Sequence, residues 1–121
     1  HMSVKIIPAA MRIKKAIEVK ESNKNIRATW ELQKMMTKLS IDQETVGDSP
    51  ADFEKVIDMM LDVQTKTINY IVNTLGLDDK QAAKFDEMEF DDTMAFAVRI
   101  SSELLHIEAQ PTDEKETGLE D

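Results

Sequence analysis

Residues 49–76 read SPADFEKVIDMMLDVQTKTINYIVNTLG, and both ends of a long helix are written in them. Ser49 is a helix N-cap residue, Pro50 suits the first helical position, and Asp52 places a carboxylate on the positive end of the helix dipole. Gly76 can take the left-handed conformation that ends a helix. About 25 residues lie between, a rod of roughly 38 Å at ~1.5 Å per residue. The apolar positions are Phe53, Val56, Ile57, Met59, Met60, Leu61, Val63, Ile68, Tyr70, Ile71, Val72 and Leu75. At ~100° per residue they cover an arc of roughly 220°. An ordinary surface helix needs a stripe of only ~100°. This helix therefore expects neighbours on more than one side, some of them on another molecule.

The rest of the chain is consistent with a helical partner set. Its 121 residues suffice for one domain with a moderate core. Aromatics make up 5% and there are three glycines and three prolines, a composition that favours helix over sheet. The fold class expected is all-α, four to five helices in a bundle-like or orthogonal packing around the long one. His1-Met2 reads as left by tag removal. SVKIIP (3–8) fits a short strand or an extended lead-in. Pro8 can then open a short amphipathic helix ending near Lys20. Ser22 or Asn23 can cap a second helix, Lys24 to about Ser40, followed by a polar connection over 41–49. After Gly76, Asp78 and Gln81 have capping-box spacing before a short helix. A last helix is expected from about Asp91 to Ile107. The single helical domain is read as 1–109, with 110–121 a disordered acidic tail.

Charge divides the chain. Net charge is −9, but residues 1–40 hold nine basic residues against three acidic, and residues 41–121 hold six against 21. Two solvated faces of opposite sign would produce this. So would head-to-tail self-association, which opposite charges would register more than tighten. A polyanion partner is disfavoured by the overall charge, so nucleic acid is not expected. No apolar run reaches the ~18 residues a membrane span needs, and nothing at the start resembles a signal peptide.

Catalytic chemistry lacks its parts. There is no cysteine, no glycine-rich phosphate loop and no nucleophile elbow. His106 is alone between Leu105 and Ile107 and reads as structural. The carboxylates Asp86, Glu87, Glu89, Asp91 and Asp92 miss calcium-loop spacing and carry no mid-loop glycine. The protein is expected to be non-enzymatic, with no cofactor and no metal.

What remains is surface for a partner. Eight methionines include the doublets Met35-Met36 and Met59-Met60. Methionine adapts to varied apolar shapes and is common both in cores and on promiscuous binding surfaces. Ile26 and Trp30 fall off the main stripe of the second helix, where they either anchor a partner or are covered by the first helix. The candidate partner-binding residues are Trp30, Ile26, Met35, Met36, Met59, Met60 and Tyr70.

The order of segments resembles a known family. RIKKAIEVK (12–20) and NIRATWELQKMM (25–36) lead to FEKVIDMMLDVQTKTINYIVNTLGLDDKQAAKFDEMEFDDTMAFAVRISSELLHIE (53–108). The run INYIVNTLGLDDKQAAKFDEME, a long helix ending at L-G-L followed by a D-x-K-Q helix, is similar to the tail assembly chaperones of long-tailed bacteriophages of Gram-positive bacteria. The resemblance implies a small helical, non-enzymatic protein of the host cytoplasm, absent from the mature virion. It implies binding to the tape measure protein, a long apolar helical client kept soluble until the tail tube forms. It also implies a homo-oligomer, and it assigns no residue-level site. A structural or connector protein of the phage tail and a regulatory helical interaction module are the alternatives.

Overall fold

A computed structural model describes residues 3–6 and 16–107. Two strands, β1 (Ser3–Ile6) and β2 (Ile17–Lys20), precede four helices: α1 (Asn23–Thr45), α2 (Pro50–Leu75), the single turn α3 (Asp79–Ala82) and α4 (Phe90–Leu105). A 3₁₀ turn, Ala83–Glu87, links α3 to α4. The chain is predominantly helical, as expected, with one small two-stranded sheet added.

The sheet corrects one expectation. The helix foreseen up to Lys20 is a strand over Ile17–Lys20, paired antiparallel with β1 in the register Val4↔Val19 and Ile6↔Ile17. Ile17-Glu18-Val19-Lys20 alternates apolar and polar, which is strand periodicity, and its apolar members are β-branched. Pairing puts Val4, Ile6, Ile17 and Val19 on one face. Ile6 and Val19 are buried there, at 0% and 1% exposure. Ser3 Oγ donates to Glu18 Oε2 across the ribbon at 2.6 Å. The rest of that foreseen helix, and the tail over 110–121, lie outside the described residues.

α2 follows its end signals. Ser49 Oγ accepts from the Asp52 amide at 3.1 Å, Pro50 opens the helix, and Gly76 closes it at φ 66°. α1 is capped by Ser22, which accepts from the Asn25 amide at 3.2 Å. It runs five residues past Ser40, because no breaker occurs before Gly47 and Lys38 pairs with Asp42 one turn on at 3.0 Å. The connection to α2 shrinks accordingly. Asp78 and Gln81 close the foreseen box in both directions, at 2.8 and 3.0 Å. The short helix then tightens into the 3₁₀ turn, which delivers Phe85 to the core at 4% exposure.

α1 and α2 form a helical hairpin, and the core occupies one end of it. Leu32 from α1 and Tyr70, Ile71 and Leu75 from α2 meet Phe96, Ala97, Ile100 and Leu104 of α4, with Ile6 and Val19 beneath. Gln33 Nε2 donates to the buried Ser101 hydroxyl at 2.6 Å, tying α1 to α4. The other end of the hairpin is an arm. No residue of α1 after Leu32 and none of α2 before Val63 is buried.

Candidate partner-binding surfaces

The arm leaves apolar side chains in water. On α2, Phe53, Ile57 and Leu61 are 65%, 43% and 58% exposed. Their spacing of four residues stacks them on one face. The same helix is covered at its other end, where Ile68 packs against the core and Ile71 and Leu75 are part of it. One apolar helix thus passes from core to solvent, which is the physical content of its wide apolar arc. Met59 and Met60 are half-buried on the same arm, and Gln43 Nε2 lies 3.8 Å from Met60 Sδ.

A cleft of about 450 Å³ opens between α1 and α2. Ala28, Leu32, Met35 and Tyr70 supply its apolar wall, and Lys24, Glu31, Lys66 and Asn69 are among its polar lining. Lys66 is paired with Asp62 at 3.1 Å.

The outer side of α1 is the third surface. Trp30 is 58% exposed and Ile41 56% exposed. Arg27 and Lys34, one turn before and after Trp30, are exposed on its side of the helix. The cover considered for Trp30 is absent among the described residues.

The foreseen contact residues therefore separate. Trp30 is on open surface. Ile26, Met35 and Met36 are half-buried against the core. Tyr70 lies inside the fold, on the wall of the cleft. It is 6% exposed, and its hydroxyl lies 2.7 Å from Thr29 Oγ1. Burial pushes the Tyr70 phenol above its ordinary pKa. Phe53, Ile57, Leu61 and Ile41 were not singled out. Their signal was present as an arc too wide for the neighbours this chain can supply. The buried hydroxyls Thr29 and Thr67, each 0% exposed, carried no signal beyond lying among apolar neighbours.

Among the described residues no helix is long and apolar enough to cross a membrane. His106 closes α4 in a left-handed conformation at φ 57°, and its Nε2 meets Glu21 Oε1 at 2.8 Å.

Among the described residues, the far end of the α1–α2 hairpin keeps apolar side chains of α2 exposed. The sequence profile of the phage tail assembly chaperone proteins, TAC, matches residues 2–117, and the chain belongs to that family. No curated protein and no solved structure matches it.

Proposed function

We propose that this tail assembly chaperone binds the tape measure protein in the host cytoplasm and keeps it soluble until the tail is built, leaving no copy in the finished virion. It acts by binding and performs no catalysis. The exposed stripe Phe53–Ile57–Leu61 carries this reading. A helix with an apolar face is the partner that such a stripe fits, and Met60, one turn from Ile57, adds an adaptable margin beside it.

Magnitudes bear on the mode of action. Fully burying a Leu, Ile or Phe side chain stabilises by ~1.5–3 kcal/mol, and these three are already partly covered. The stripe then yields about 4 kcal/mol. Association itself costs an estimated ~4–15 kcal/mol. One copy alone would grip weakly and release readily, whereas many copies along one long client would hold it by avidity. The test is co-expression of the tape measure protein with and without the chaperone, followed by separation of soluble and pelleted fractions. The client should move into the soluble fraction when the chaperone is present. A client that pellets equally in both cases would refute the proposal.

A further inference from the structure

The apolar stripe of α2 has a charged border on one side only. Glu54, Asp58 and Asp62 each follow one of Phe53, Ile57 and Leu61 by a single residue. Two rows therefore run along the helix side by side, one apolar and one of carboxylates, both at four-residue spacing. All six side chains are exposed. The other border is apolar, where Met60 Sδ meets Gln43 Nε2 of α1 at 3.8 Å. Like charges four residues apart repel along a helix. Lys66 relieves this only at the inner end, by pairing with Asp62 at 3.1 Å. Among the described residues, Glu54 and Asp58 enter no ion pair. Residues 48–62 hold five carboxylates and one basic residue, Lys55, which falls roughly 160° round the helix from Ile57 at the centre of the stripe.

We propose that, with the tape measure protein as the client, the Glu54–Asp58 row chooses which of its segments the stripe accepts: helices whose apolar face is bordered on one side by Lys or Arg. The occupant follows from the pairing of rows. A helix laid on Phe53, Ile57 and Leu61 brings one of its borders to Glu54 and Asp58 and the other to Met60. Lys and Arg at the first border neutralise two carboxylates that the chain leaves unmatched, and their aliphatic stems add apolar cover beside the stripe. Asp or Glu at the same place meets like charge, which rejects the segment. The apolar rows supply most of the grip, and the charged rows set register and choose among segments. Nucleic acid and an anionic membrane surface are repelled by the same carboxylates.

The test is binding of the full chain to fluorescent overlapping peptides of the tape measure protein, each about 25 residues or some seven helical turns long, read by anisotropy in low salt and in 0.5 M NaCl. Bound peptides should place Lys or Arg on one border of an apolar stripe, and their affinity should fall in high salt. Glu54→Lys/Asp58→Lys should weaken binding of those peptides about 10-fold and turn the preference toward peptides bordered by Asp or Glu. Both positions are exposed, so circular dichroism should read the same helix content. If that variant unfolds, Glu54→Gln/Asp58→Gln, which removes charge alone, decides by the loss of salt dependence. Peptides bound equally by the wild type and the double variant would overturn the selection and leave the client reading in place. A wild-type chain that binds no peptide would overturn both. A double variant altered only in its own sedimentation would assign the row to a second copy of the chain and overturn the selection too.

Discussion

The Tyr70 hydroxyl donates to Thr29 Oγ1 at 2.7 Å and so fastens α2 to α1 inside the core. The direction follows from the inventory of hydrogens. Thr29 has one hydroxyl hydrogen, and it is directed to the Asn25 carbonyl at 2.8 Å. Tyr70→Phe removes one hydrogen bond and should cost about 1 kcal/mol in urea unfolding. Thr29→Val leaves the phenol without its acceptor and should cost ~1–3 kcal/mol.

The same pair gives a pH dependence. Burial raises the Tyr70 pKa above its unfolded value of 10.0. Between those two values the folded chain holds a proton that the unfolded chain releases. The stabilisation is thus complete below pH 10.0 and is lost as pH rises through the folded value. Thermal melts from pH 8 upward should show a wild-type decline beyond about pH 10 that is smaller in Tyr70→Phe.

Thr67 presents the reverse situation. Its side chain is 0% exposed, and among the described residues its Oγ1 has no hydrogen-bond partner. An unmet buried hydroxyl costs ~1–3 kcal/mol. Thr67→Val replaces it with a methyl group and should raise the melting temperature, by an amount equivalent to about 1 kcal/mol. A lowered melting temperature would mean that this hydroxyl is satisfied.

At Gly76 the backbone sits at φ 66°, and a Cβ would meet nothing within 4 Å. The cost of a side chain there is conformational only. Gly76→Ala should destabilise by about 1 kcal/mol with the helix content unchanged.

The ribbon is the part of the fold that differs most from a pure bundle, and it bears weight. Ile6 packs in the core at 0% exposure. Ile6→Ala should cost ~2–5 kcal/mol by chemical denaturation, the range for a large core residue cut to alanine. A cost under about 0.5 kcal/mol, typical of a surface site, would show that the ribbon does not close the core.

The long helix was legible because its signals are local. Ser49, Pro50 and Gly76 fix its ends without help from the rest of the chain, as Asp78 and Gln81 do for the next turn. The ribbon was not legible as a sheet, because Ile17-Glu18-Val19-Lys20 is too short to separate a strand from the last turn of a helix until its partner strand is known. The site was half legible. The excess of apolar surface on α2 could be read from its arc, but not which end would stay uncovered. That depends on how far α4 and the ribbon reach. Methionine doublets and Tyr70 drew attention by residue type, whereas exposure at Phe53, Ile57 and Leu61 is decided by tertiary packing. Trp30 could be placed off the main stripe, but only the fold shows that it stays open.

The account rests on surplus apolar surface at the far end of α2. Its most direct test is the triple variant Phe53→Ser, Ile57→Ser, Leu61→Ser, compared with wild type for its power to hold co-expressed tape measure protein in solution. All three positions are exposed, so the variant should remain folded by circular dichroism. The account predicts that the client then returns to the pellet. A folded triple variant that solubilises the client as well as wild type does would contradict it.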